Sequence, residues 1–430
     1  MVHPQVTAPH PRSRLPAWLP DAVVGAVTST VLITISSHIS PGPDHRAADT
    51  VQYVLLAGCC ECAEPRSNRP TIAPHSIVDM ALCKTVGMDV VDWLLDSDPA
   101  LRWQVLRDLT NAPEEEVAAE RARVAREGWG QRLLALQGPD GKWPGDVPTF
   151  SSEKAERWWR SLDPSQQGTL FPEWTSIAWS LTLLREFGVE PDAPVVREAV
   201  ALVNRNARWE HDAEPFFSGE VEPCINGRTV ALGAYYGIDI TPVVTRLLGE
   251  QMEDGGWNCE QENGSTRGSF HTTIEVLEGL QEYDRATEGG NLKVSEALAR
   301  GREYLLERRM LRRLSTGERI EKDGLTGAAS KWTQFSHPTY WHYDVLRGLD
   351  YLRAAGVTPD ERVAEAVGVV RGKRDADGRW VLENPHRGEL HFPIEGGGGG
   401  ESGGSGEGAP SRWNTLRASR VLAWYDAGAK

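Results

Sequence analysis

From Met88 onward the sequence predicts an all-α protein of alternating inner and outer helices, and three observations predict it. Helical periodicity runs almost unbroken, and strand-like alternation bounded by turn signals is scarce. One turn recurs three times, as Gln137-Gly-Pro-Asp-Gly-Lys-Trp143, Gln251-Met-Glu-Asp-Gly-Gly-Trp257 and Lys373-Arg-Asp-Ala-Asp-Gly-Arg-Trp380. Two kinds of helix alternate around these turns, one apolar on several sides and one charged on a single face. A recurring punctuation of this kind decides the architecture before any single site is considered.

The helices follow in order. Asp96 and Asp98 read as an N-cap pair before an inner helix near Pro99. Helical runs over Glu116–Leu136, Pro242–Glu250 and Glu361–Gly372 each lead into one of the three turns. Further inner helices begin near Trp174, Cys224, Phe270, Trp341 and Trp413, rich in Ala, Gly and Leu. Phe187-Gly188, Tyr236-Gly237 and Ala355-Gly356 are helix stops of the glycine kind. Val196–Asn206 and Val294–Leu314 carry charge on one face, as outer helices do. The insertion over 145–172, with Trp158 and Trp159, and the Gly/Ser-rich loop over 395–410 both precede inner helices and overhang one face as lids.

Composition excludes several classes. The chain has 430 residues and a formal net charge of −15, and no basic block stands out, which argues against nucleic acid as a partner. Residues 1–87 balance six basic against six acidic side chains, so the whole deficit belongs to 88–430. The apolar run Ala22 to Ile35 is too short to span a bilayer. Residues 1–87 therefore read as a disordered leader or an over-extended start, with the folded domain over 88–430. That leader holds Cys59, Cys60, Cys62 and Cys83, leaving Cys224 and Cys259 in the domain. Two cysteines do not make a disulfide framework, and a cytoplasmic location is the expectation.

The Gln-x-x-Asp-Gly-x-Trp turns between alternating helices resemble the repeat of squalene and oxidosqualene cyclases and of protein prenyltransferase β subunits. Arg374 stands at the Gln position of the third turn. The resemblance implies an α6/α6 toroid, six inner helices ringed by six outer ones around an apolar cavity, acting on an isoprenoid substrate. The cyclases' acidic D-x-D-D cluster is absent, which leaves Asp344 as a candidate acid with no carboxylate beside it. The prenyltransferases bind zinc through Asp, Cys and His at the barrel mouth. Here His271 stands where that family has Cys, His342 where it has His, and Ser269 where it has Asp.

Cys224 and Cys259 offer replacements, because both fall at inner-helix entrances beside His271 and His342. Thiolate and imidazole are ligands zinc prefers, so Cys224, Cys259, His271 and His342 form a candidate zinc set. The competing reading makes the cysteines small buried hydrophobes and the histidines hydrogen-bonded core residues. Trp174, Trp341, Tyr343 and Trp413 are candidate substrate contacts through cation–π attraction to carbocations, against ordinary core packing. Arg228, Arg347 and Arg417 lie on inner helices, either to hold a diphosphate or to pair with acids such as Asp344 and Asp350. His337 is a candidate acid/base. The expected function is an enzyme acting on an apolar, isoprenoid-like substrate; the alternative is a non-catalytic toroid with a structural metal or a ligand-binding role. No transmembrane segment is expected, and the sequence names no protein partner.

Overall fold

A computed structural model describes residues 88–144, 174–209, 214–320, 330–340, 343–385, 390–394 and 406–428, all within one compact unit, Ile72–Lys430. The 1–87 leader, the 145–172 insertion, most of the 395–410 loop, Trp341 and His342 lie outside the described residues.

The described chain is helical throughout. Its helices are α1 (Met88–Leu95), α2 (Pro99–Leu109), α3 (Glu114–Arg123), α4 (Gly128–Ala135), α5 (Ile177–Phe187), α6 (Pro194–Asn206), α7 (Pro223–Tyr235), α8 (Thr241–Gly249), α9 (Phe270–Ala286), α10 (Leu292–Glu307), α11 (Val345–Ala354), α12 (Ala364–Gly372) and α13 (Arg412–Gly428). Two-residue strands β1 (Trp380–Val381) and β2 (Pro410–Ser411) pair antiparallel and bring the chain back into α13. No described helix is long and apolar enough to cross a membrane.

Sequence sets the boundaries. Pro99, Pro194 and Pro223 open α2, α6 and α7 at the position where a missing N–H costs nothing. Asp98, Ser269, Asn291 and Asp344 each cap a helix start through the side chain. Gly188, Gly237 and Gly356 all take positive φ at helix ends, as their sequence positions predict. The run expected over Glu116–Leu136 is instead two helices. Gly128 divides them at φ +65°, and a Cβ there would lie 2.1 Å from the Asp98 carboxylate, whose Oδ2 accepts from Trp129 N–H at 2.8 Å. The run expected over Val294–Leu314 ends at Glu307, followed by Arg309 and Met310 at positive φ.

Helices α2, α5, α7, α9, α11 and α13 touch in cyclic order, α13 returning to α2. Neighbours α5 and α7 run the same way: Thr182 meets Arg228 near their middles, and Val189 meets Tyr235 at their ends. Helices α7 and α9 approach most closely, because each contributes a glycine. A Cβ on Gly227 would lie 2.8 Å from the Glu275 backbone, and one on Gly279 would lie 2.2 Å from the Gly227 carbonyl. Outside this cycle, α1, α3, α4, α8, α10 and α12 pack on the six, and α6 packs on α4.

The three turns are built alike. In each, the indole N–H of the closing tryptophan donates to the carbonyl ten residues earlier: Trp143 to Leu133, Trp257 to Leu247 and Trp380 to Val370, at 2.7–2.8 Å. Gln137 bonds both the Gly141 carbonyl of its own turn and Ala199 of α6. Gln251 does the same with Gly255 and Ala297 of α10. The Asp-Gly glycines take φ +84°, +84° and +79°. At the third turn Arg374 sits over the Trp380 ring, and Gly378 packs on Val90 of α1. Each turn therefore fastens a helix end to the next outer element. The tryptophans are 2%, 0% and 2% exposed.

Candidate functional site

Two groups of candidate residues converge near helix starts, and a third set of charged residues forms ion pairs between the helices.

The cysteines come together. Cys224 lies in the first turn of α7 and Cys259 in the loop after Trp257, and with Glu222 they place three ligand atoms within 4.8 Å of one another. Glu222 accepts from the Cys224 thiol at 3.3 Å, and Thr272 approaches the Cys259 sulfur at 3.6 Å. Hydrogen bonding from Cys224 lowers the Cys259 pKa to about 7. The same bond, with burial and Glu222, pushes Cys224 well up. Burial and neighbouring carboxylates raise Glu222. Two thiols and a carboxylate are a donor set that suits zinc, whose thiolate bonds of roughly 2.3 Å bring two sulfurs to such separations. His271 is not a member of this cluster. Its ring stands edge-on to Trp332 at 5.6 Å. Sequence reasoning missed Glu222, although it lies two residues before Cys224.

The aromatic group is built from Trp174, Trp179 and Tyr340. Trp174 stacks on Tyr340 at 3.8 Å between centroids, and Trp179 stands edge-on to both. Tyr340 holds φ +46°, a conformation bulky residues rarely adopt and one that concentrates at functional positions. Arg228 lies over the Trp179 ring at 3.9 Å. Its guanidinium pairs with Glu275 at 2.5 Å and donates to Thr182 Oγ1 and the Tyr340 carbonyl. A void of about 10 Å³ lies among Trp179, Thr182, Arg228, Tyr340 and Tyr343.

Beside it, Asp344 and His337 take distinct states. Asp344 is 2% exposed and accepts from the Arg347 and Ser336 N–H groups at 2.8 Å. Burial outweighs these bonds and lifts its pKa to about 6. His337 stacks on Trp413 at 4.6 Å. Burial and Arg417 hold its pKa well below the usual histidine value, so it is a neutral imidazole at pH 7.

Ion pairs run along the axis. Arg347 bridges Glu278 at 2.6 Å and Glu186 at 2.9 Å, and Tyr343 donates to Glu278. Burial alone would raise Glu186, but Arg347 and Arg417 outweigh it and hold the pKa at about 2. Glu275 keeps the opposite balance: burial exceeds the pull of Arg228 and lifts it to about 7. Sequence reasoning missed this charged face, although Glu275, Glu278 and Glu282 are spaced three and four apart on α9. Of the arginine alternatives, Arg228 and Arg347 are paired closely with carboxylates, whereas among the described residues Arg417 pairs only with Glu186, at 3.7 Å.

No protein-family model and no curated protein sequence matches the chain. Two solved structures of the type II terpene cyclase MstE from Scytonema align with it. An Arg-to-Ala variant in complex with geranylgeranyl dihydroxybenzoate as substrate is 15% identical, with a TM-score of 0.28, over 72% of this chain and 97% of its own. An Asp-to-Ala variant in complex with merosterolic acid A as product is 14% identical, with a TM-score of 0.28, over 71% and 96% respectively.

Proposed function

We propose that the chain is an α6/α6 toroid enzyme acting on an apolar, isoprenoid-like substrate. The observation that carries this reading is the buried group of Trp174, Trp179 and Tyr340 beside a buried carboxyl whose pKa is near neutrality. The cyclic contacts of the six inner helices support the toroid. In this reading the three rings, with Tyr343 and Trp413, receive the apolar chain and stabilise positive charge on it. Asp344 holds the proton to be delivered, because its carboxyl is half-protonated near pH 6. Neutral His337 accepts a proton and does not donate one. Arg228 fixes Trp179 and the Tyr340 backbone in place. Trp341 and His342 complete the sequence-based set.

Cys224, Cys259 and Glu222 are the residues that would hold zinc, with His271 and His342 as further candidates. Bound there, zinc would supply Lewis-acid polarisation or a structural tie.

A second reading, a non-catalytic toroid whose metal is structural, draws on the small volume of the void among the rings, room for about one water molecule. Two measurements separate the readings. Titration with farnesol, followed by tryptophan fluorescence, should give saturable binding that is lost in Trp174→Ala. Elemental analysis should give one zinc per chain in the wild type and none in Cys224→Ser. Zinc without farnesol binding would leave the structural toroid, and absence of zinc would remove the metal from both.

A further inference from the structure

A cleft of about 300 Å³ opens among the second halves of α2, α5, α9 and α11, the end of α7 and the first half of α13. This is the end of the helix cycle remote from Cys224 and His271, which lie in the first turns of α7 and α9. Eight arginines line the cleft against four carboxylates, in a chain of net charge −15. Concentrating cations in one concavity of an acidic protein focuses potential there and draws anions.

Most of these arginines are already bound. Arg185 pairs with Glu282 at 2.5 Å, Arg347 with Glu278 and Glu186, and Arg420 with Asp350 and Asp108. Arg417 differs. It is 3% exposed, lines the cleft, and makes no hydrogen bond to a described residue; its one ion pair, with Glu186, is 3.7 Å long. The oxygen it approaches, Glu186 Oε2, accepts no hydrogen bond among the described residues. A buried guanidinium in a cleft, held only by one long ion pair among the described residues, marks a site for a ligand that carries acceptor oxygens.

We infer that this cleft binds a phosphate-type oxyanion, with Arg417 as its principal donor. The anion's oxygens accept from the Arg417 guanidinium in place of Glu186 Oε2. Arginine matches a phosphoryl group through paired donors in a plane. The inference is independent of the zinc reading, since Arg417 and the cysteine cluster are in different parts of the helix cycle.

Calorimetric titration of the full chain with inorganic diphosphate tests it. The wild type should bind one equivalent, with affinity that weakens as salt rises. Arg417→Gln should bind at least about tenfold more weakly, the loss of one charge-assisted contact of about 1.4 kcal/mol. Glu186→Gln should bind more tightly, because it removes the carboxylate that competes for Arg417. Octyl phosphate in a parallel titration separates the sources: tighter binding than inorganic phosphate marks a headgroup, equal binding a free anion, and either supports the site. No saturable binding by the wild type overturns the proposal, as does unchanged affinity in a folded Arg417→Gln. Should that variant not fold, unchanged or weaker binding by Glu186→Gln overturns it.

Discussion

Glu275 shows how one buried carboxyl couples stability to pH. It is 3% exposed and paired with Arg228 at 2.5 Å, yet burial lifts its pKa from 4.5 to about 7. A folded-state pKa above the unfolded value means that the fold favours the protonated form. The resulting stabilisation is fully present below pH 4.5 and is lost as pH rises through about 7. Each pKa unit corresponds to about 1.4 kcal/mol, so the full span is of the order of 3 kcal/mol. Glu275→Gln should flatten the stability profile between pH 4.5 and 7, measured by urea unfolding at several pH values. A slope equal to that of the wild type would assign the titration to other groups, Asp344 among them. Glu275 was not singled out in the sequence, because spacing places a carboxylate on an inner helix without revealing how deeply it is buried. Asp344 and His337 were legible as candidates; that one is a carboxyl near neutrality and the other a neutral imidazole depends on neighbours distant in the chain.

The turn after each outer helix is the element that sequence conveyed best. Tryptophan, Asp-Gly and glutamine at fixed spacing announce a local hydrogen-bond pattern, and local patterns survive in sequence because all their parts lie within a few residues. Trp257→Phe keeps a large ring in the buried position but removes the N–H that the Leu247 carbonyl accepts. It should cost about 1–3 kcal/mol, an unmade bond to a buried acceptor, read as a lowered urea midpoint. No loss would mean that the turn relaxes to satisfy Leu247 in another way. The helix boundaries were less legible. The break at Gly128 arises because Asp98, thirty residues earlier, needs the space a Cβ would fill. The ligand cluster was half legible for the same reason. Cys224 and Cys259 stand at recognisable helix entrances, whereas the separation of His271 from them is a matter of how a loop turns.

At the scale of the molecule, the cycle of helices closes through charge as well as apolar packing. Arg420 of α13 bonds Asp350 of α11, with Nε–Oδ1 at 2.8 Å, and Asp108 of α2 at 3.1 Å. Asp350 is 6% exposed, and Arg420 and Arg353 hold its pKa well below the usual carboxylate value despite its burial. Removing one partner of a buried pair strands the other, which typically costs 3–5 kcal/mol. Asp350→Asn should therefore lower stability by about that amount at pH 7, seen as a drop in Tm. A change below about 1 kcal/mol would show that closure rests on the apolar contacts alone. The all-α class was readable in the periodicity, but the charge carried by the buried helix faces was not. Among the described residues, arginines and carboxylates line one cleft, and Trp179, Arg228, Tyr340 and Tyr343 surround a small void. Periodicity reports that a helix is buried on several sides, not what it faces.

The three turn tryptophans carry a consequence for observing this molecule in motion. Their indole protons are enclosed and hydrogen-bonded at three stations along the chain. Each can exchange with deuterium only when its own station opens. Three separate indole resonances in an NMR spectrum would thus time the opening of the first, middle and last turns independently. Equal exchange rates would mean that the helices part as one unit, and unequal rates would identify the seam where they first part.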